Sequence, residues 1–373
     1  TIVGNTDTKT FDGEEHEVTG YQVTGISNPL YAADDFTFAG DAIAARTNVG
    51  TTDMGLAADQ FSNANDNFAN VVFNVTDGYQ TIDPLAVTVS IVGNNDTTEY
   101  DGNAHTVEGY VATANSDLYD TAANIKFTGD ATATRTDAGT TNMGLAAEQF
   151  ANTNANFDVT FTVIDGFAKV NPIETTITIV GNKNTTEYDG NTHTVEGYVA
   201  TATSALYDVN ANIEFTGTAV AERTDAGTTN MGLTPEQFVN ANDNFTVTFI
   251  VTDGFQTITP VAAEVTATIN GSKITKTYDG TEHIAAGYAV GIDNPLYTTD
   301  DIAFTGTSTA KRTEVGTTNM GLAEDQFSNT NPNFSTVEFV VTDGWQKIDP
   351  ISATVTIVGN SVTTDYDGTA HTA

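Results

Sequence analysis

The stretch "NFDVTFTVIDGFAKVNP", residues 156–172, decides how the chain folds. Val159, Phe161 and Val163 alternate with threonines, which is the period-two pattern of a strand with one apolar face. Asp165 and Gly166 follow, and an Asp-Gly pair predicts a tight hairpin turn, because the favoured turn needs φ > 0. A last short strand then runs to Pro172, which cannot continue the ladder. The same strand returns as Val71, Phe73, Val75, as Val247, Phe249, Val251, and as Val337, Phe339, Val341. The same turn returns as Asp77–Gly78, Asp253–Gly254 and Asp343–Gly344.

Working outward, the whole chain is periodic. "FDGEEH" at residue 11 recurs as "YDGNAH" at 100, "YDGNTH" at 188, "YDGTEH" at 278 and "YDGTAH" at 366, in steps of 89, 88, 90 and 88 residues. All five histidines lie in this motif: His16, His105, His193, His283 and His371. All four methionines lie in "MGL", and all four arginines precede a threonine. Repetition at a fixed period is the mark of an array. Prolines at 84, 172, 260 and 350 place the boundaries: 1–83, 84–171, 172–259, 260–349 and the opening of a fifth repeat at 350–373. The chain starts inside a strand and stops inside a repeat, so it reads as a window on a longer array.

Each repeat holds about seven short alternating strands, with Val87, Val89 and Ile91 on one face of the first. One segment, "LTPEQF", reads as a turn of helix with Thr234 as N-cap, Pro235 at the first position and Gln237 in a capping box. No long amphipathic helix connects strands, which argues against an α/β fold. The expected fold is all-β: a tandem array of immunoglobulin-like β-sandwich domains of about 88 residues forming an extended rod, with a small β-barrel as the runner-up.

The 373 residues carry 49 acidic and 12 basic side chains, a net charge of −37 and a pI near 4.1. Such a surface repels phosphate backbones and anionic lipid headgroups, so nucleic acid is a poor partner. The charge is spread along the array: the second repeat carries eleven acids and three bases, the third eleven and two. Like-charged neighbours on short proline linkers resist folding back on each other. There is no cysteine, hence neither disulfide nor thiolate metal site, and no apolar run long enough to span a membrane.

The repeat resembles the MBG family, the "mostly bacterial Ig-like" domains that occur in tandem in large surface proteins. The resemblance rests on "YDG" after the first strand, on Ala138 to Thr140 ("AGT"), and on the closing "NFDVTFTVIDGFAKVNP". It covers every repeat, and departs at Thr141 and "NMGL", where the family often has a tyrosine. It implies an extracellular stalk or adhesin and carries no catalytic residues.

Four sets of residues recur often enough to be candidate sites. The first pairs Asp12 with His16, Asp101 with His105, Asp189 with His193 and Asp279 with His283. One histidine per unit with no cysteine cannot hold zinc within a repeat. The expected role is a hydrogen bond from the ring to a backbone or acidic group at the "YDG" turn. The second set is Arg46, Arg135, Arg223 and Arg312; in so acidic a chain an ion pair with a recurring carboxylate is expected, against the alternative of a solvated cation. The third is the Asp-Gly set already given. The fourth is the Asn-rich loop, "NANDNF" at 63 and 240 and "NTNANF" at 152, read as Asx turns. It has too few carboxylates for calcium, and calcium stays open only at the domain junctions. Otherwise no cofactor is expected.

Lysine count excludes a recurring isopeptide bond, whereas a Thr–Gln ester through Gln60, Gln149, Gln237 or Gln326 stays open. Six Asn-x-Ser/Thr sequons occur, at Asn74, Asn95, Asn184, Asn244, Asn270 and Asn333.

The leading functional expectation is structural: a stalk or filament of a cell-surface protein whose partners are its neighbouring repeats. Two alternatives stand beside it. The repeats bind host or cell-surface glycoconjugates multivalently, which an exposed aromatic at Tyr31, Tyr119, Tyr207 and Tyr297 would favour, although "LY" in an alternating segment reads as core. Or copies of the chain assemble sideways into a fibre. Nothing stands out as an acid/base pair for catalysis.

Overall fold

The fold is set out on the second repeat of a computed structural model that describes residues 1–373. Its strands are β1 (Leu85–Gly93), β2 (Asn95–Glu99), β3 (His105–Glu108), β4 (Tyr110–Ala114), β5 (Ile125–Phe127), β6 (Thr132–Arg135), β7 (Gly139–Asn142), β8 (Phe150–Asn152), β9 (Phe157–Ile164) and β10 (Phe167–Asn171). One α-turn, α1 (Thr121–Asn124), is capped by the Asp120 carboxylate, which accepts from the Ala122 and Ala123 N–H groups.

Two three-stranded sheets carry the repeat, in the orders β4–β1–β9 and β2–β10–β7, with two-stranded ribbons β3–β6 and β5–β8 beside them. Within the first sheet β1 is antiparallel to β4, with Val89 opposite Ala114. It is parallel to β9, with Leu85 opposite Phe157 and Val92 opposite Ile164. Within the second, β10 is parallel to β2 and antiparallel to β7. The chain is thus a tandem array of immunoglobulin-like sandwich repeats, with parallel pairs in both sheets.

The alternation explains the packing. Val87, Val89 and Ile91 all point inward and are buried, as are Phe157 from the neighbouring strand and Phe150 from the β5–β8 ribbon. Complete burial of Val89 and Ile91 contributes roughly 1.5–3 kcal/mol each. Tyr110, Phe127, Phe150 and Phe161 form an edge-to-face and stacked group with centroids 4.8–5.9 Å apart. The fourth repeat builds the same core from Ala267, Ile269, Phe327 and Phe339.

The strands outnumber the seven expected because the long runs break where they change sheets. β1 passes to β2 at Asn94, β3 to β4 at Gly109, and β9 to β10 at Asp165–Gly166. This corrects the hairpin assignment for Asp77–Gly78, Asp165–Gly166, Asp253–Gly254 and Asp343–Gly344. β9 and β10 do not pair with each other; they lie in different sheets. Gly166 is not left-handed either. It is a glycine because a Cβ there would sit 2.7 Å from the Met143 Sδ and 2.9 Å from the Gly93 carbonyl carbon. A sheet-to-sheet crossing and a hairpin use the same Asp-Gly letters, and long-range pairing chose the crossing.

Residues 350–373 form no strand and are exposed, although their sequence matches β1 and β2. In the preceding repeats those two strands pair with strands that come later in the sequence. By contacts the chain divides into two compact units. One is Thr1–Thr175 with Ser204–Asp208 and Asn240–Thr248; the other is Thr176–Thr203, Val209–Val239 and Phe249–Ala373. No helix is long and apolar enough to cross a membrane.

Candidate functional site

At the "YDG" turn, the Nε2 of His16, His105, His193 and His283 lies 3.0 Å from an oxygen of the aspartate four residues earlier, Asp12, Asp101, Asp189 and Asp279. In the fourth repeat the same approach lacks hydrogen-bond alignment. The aspartate also caps the turn: the Asn103 N–H donates to Asp101 at 2.8 Å and the Asn103 amide at 3.1 Å. Those bonds, led by the backbone N–H of Asn103 and followed by its side chain and by His105, hold the Asp101 carboxyl down at about 2. Asp189 and Asp279 are lowered to about 2 by the equivalent backbone donors, Asn191 and Thr281.

A carboxyl whose folded pKa is depressed adds stability above its unfolded value and loses it as pH falls through the folded one. The turn is therefore expected to hold to about pH 4 and loosen toward pH 2. Carbon-detected NMR of Asp101 should show its midpoint near pH 2, and Asn103→Ala should raise it. A midpoint at the ordinary aspartate value would remove the turn from this role.

The arginines do not meet carboxylates, which corrects the ion pair expected for Arg46, Arg135, Arg223 and Arg312. Arg135 donates from Nε to the Asp137 carbonyl at 2.8 Å and from Nη2 to the Ala138 carbonyl at 2.6 Å. Arg46 does the same to Asn48 and Val49, and Arg223 to Asp225 and Ala226, all at 2.7–2.8 Å. Arg312 reaches Val315, but its Nε is buried without a partner. A guanidinium has five donors in a fixed fork, and a tight loop turns several carbonyls toward one point; the fork fills that point. The loop closes on Gly139, at φ 131°, where a Cβ would lie 2.7 Å from the Arg135 Cζ. Each arginine also faces its repeat's histidine across the β3–β6 type ribbon: His105 pairs with Arg135, and His16 with Arg46.

The Asp-Gly aspartates have a different duty from the one expected. Asp165 accepts from the N–H groups of Gly144 and Leu145, at 3.0 and 2.9 Å, and pins the "MGL" segment under the sheet crossing. Asp77, Asp253 and Asp343 repeat this. Gln60, Gln149, Gln237 and Gln326 each accept from the N–H three residues earlier. Gln237 does so for the Thr234 N–H, while the Thr234 side chain makes no capping bond. The recurring tyrosines are buried, so they offer no exposed aromatic cluster.

The residues that join repeats were not singled out beforehand. The Asn-rich loop is a run of Asx turns, as when Asn152 accepts from Asn154 and Asn154 from Asn156. Its last asparagine reaches into the preceding repeat. Asn156 accepts from the Val49 N–H at 2.9 Å and donates to Asn48 Oδ1 at 2.8 Å. Asn244 accepts from the Ala138 N–H at 2.5 Å and donates to Asp137 Oδ1 at 2.9 Å. Asn333 accepts from the Ala226 N–H at 2.6 Å and donates to Asp225 Oδ1 at 3.0 Å. The backbone donor fixes which end of each amide is oxygen. The next residue packs edge-on against the "YDG" aromatic: Phe157 on Phe11, Phe245 on Tyr100 and Phe334 on Tyr188, with centroids 5.3–5.8 Å apart. The available signal was the pattern Asn-x-Asn-x-Asn-Phe, which closes on an Asn-Phe pair at 67, 156, 244 and 333 in every repeat.

Two sequons, Asn244 and Asn333, fall on these joint residues, which are 9% and 5% exposed with both amide atoms engaged. No group of three or more acidic or histidine side chains converges on a metal-sized site.

No protein-family profile matches the chain, and no curated protein matches it. Among solved structures it is similar to the N-terminal eight Ig domains of Down syndrome cell adhesion molecule, at 10% identity over 93% of this chain, with a TM-score of 0.19. It spans 46% of that structure. Sidekick-1 immunoglobulin domains 1-5 match at 8% identity over 93% of this chain and 79% of that one, TM-score 0.18. The titin I9-I11 tandem matches at 12% identity over 71% of this chain and 100% of that one, TM-score 0.15. All three are tandem immunoglobulin-domain structures; at such TM-scores the likeness carries no argument, and the fold stands on the strand pairing described above.

Proposed function

We propose that the chain is a structural segment of an extracellular, adhesin-type surface protein, a stalk or filament in which each repeat bounded by the prolines at 84, 172, 260 and 350 is one domain. The observation that carries this reading is the joint. The same asparagine and the same aromatic contact occur at three successive boundaries, so neighbouring repeats are coupled in series by one device. Each amide contributes roughly 0.5–1.5 kcal/mol per hydrogen bond, and the aromatic contact adds to that. A net charge of −37 keeps separate copies soluble and apart. The resemblance to MBG repeats points the same way. The recurring histidines, arginines and aspartates are all engaged in turns and loops, which favours a mechanical role over a catalytic one.

Electron microscopy of the chain tests the proposal. A thread one repeat wide, about 35–40 Å per repeat along its length, is the expected image. Collapsed globules would remove the stalk reading, and a wider regular fibre would replace it with lateral assembly.

A further inference from the structure

We infer that the arginine-held loops of the first three repeats are docking sockets for an asparagine side chain, and that their tolerance of a carboxylate in its place lies in the residue two positions after the arginine. The inference rests on taking the joint as the unit that couples repeats. The loop offers its ligand one donor and one acceptor: the N–H of Val49, Ala138 or Ala226, and the side-chain oxygen of Asn48, Asp137 or Asp225. The primary amide of asparagine presents both, an acceptor oxygen and a donor nitrogen on one carbon, where a carboxylate offers acceptors alone. What docks is therefore an Asn-Phe dipeptide at the start of a strand, the asparagine filling the polar half and the ring lying on the "YDG" aromatic.

The arginine is the positioning residue. It binds the carbonyls of the same two residues that hold the incoming asparagine, Asp137 and Ala138 in the second repeat.

The sockets differ in the group that accepts from the incoming amide, Asn48 against Asp137 and Asp225, and that difference gives the inference an internal control. Asp137 and Asp225 are carboxylates and can only accept. An aspartate arriving in place of Asn244 or Asn333 would set two carboxylates about 3 Å apart, which cannot both stay ionised. Asn48 is an exposed amide and can turn its Nδ2 toward an incoming carboxylate. The first socket therefore accepts asparagine or aspartate, and the second and third accept asparagine only.

Amide hydrogen exchange on the full chain at neutral pH tests this. Asn244→Asp should speed exchange at Ala138 by about tenfold or more while Ala226 stays unchanged as the reference, and Asn156→Asp should change Val49 by less than about threefold. Adding Asp137→Asn to Asn244→Asp should restore protection at Ala138. Arg135→Ala should expose Ala138 and be non-additive with Asn244→Ala, yet additive with Asn333→Ala. Slow exchange at Val89 and Ile91 in every variant verifies that the repeat is folded. Equal effects of Asn244→Asp and Asn156→Asp, or no rescue by Asp137→Asn, would overturn the inference. Either result leaves the thread images untouched, so the two readings fail separately.

Discussion

Gly93→Ala is expected to unfold the second repeat at a cost at or above the ~3 kcal/mol upper end for overpacked sites. Gly93 sits where β1 crosses to the second sheet, directly against the parallel crossing at Gly166. A Cβ on Gly93 would lie 2.6 Å from the Gly166 Cα and 3.0 Å from the Leu145 Cδ1. The nearer obstacle is backbone, so no rotamer change relieves it. Separating the two strands would break the crossing on which Asp165, Leu145 and Met143 are organised. Because contacts within an array are mostly local, the loss should be confined to the second repeat and its joints. Exchange of the Val89 and Ile91 amides reads it directly. Val92→Ala, one residue earlier at an exposed position, should stay within about 0.5 kcal/mol. Equal protection in Gly93→Ala and the native chain would show that the two runs do not cross in contact.

Phe150→Ala is the second large effect, about 3–5 kcal/mol. The ring is 5% exposed and lies 4.8 Å from Phe127, 5.1 Å from Tyr110 and 5.9 Å from Phe161, joining the β5–β8 ribbon to the first sheet. Its removal forfeits the transfer free energy of the ring and leaves a cavity among side chains anchored on three different strands, which cannot all move in. A small domain has only a few such rings, so this is a large share of its stability. Denaturant melting followed by tyrosine and phenylalanine signals should show an early transition for one repeat, with the others unchanged. Phe150→Leu should recover most of the loss. A single unshifted transition would mean that the ring is not part of a local core.

The strands and their buried faces were legible from alternation alone. Val87, Val89 and Ile91 could be placed inward because period two leaves one choice of face once a core exists on one side. The "YDG" turn was legible for a similar reason: an aspartate, a glycine and a histidine four residues on can satisfy each other locally. Asp165–Gly166 and Arg135 were misread because their partners are distant in sequence or chemically unmarked. Asp-Gly signals only that the backbone must bend or come close to another strand. Arg135 sits in an acidic chain, so charge suggested a carboxylate, whereas the loop it closes supplies carbonyls that every residue carries.

What the sequence by itself determined is the repeat, its strands and its apolar faces, since each is set by near neighbours and by the two-residue period of an extended backbone. Only the tertiary structure decided which runs cross between sheets, what the arginine holds, and that Asn156, Asn244 and Asn333 couple one repeat to the previous one. The arginine's partners are carbonyls two and three residues on that no side-chain letter marks, the sheet pairing spans some seventy residues, and the joints span more than a hundred; the letters Asn, Asp and Gly are the same for a local turn and for a joint.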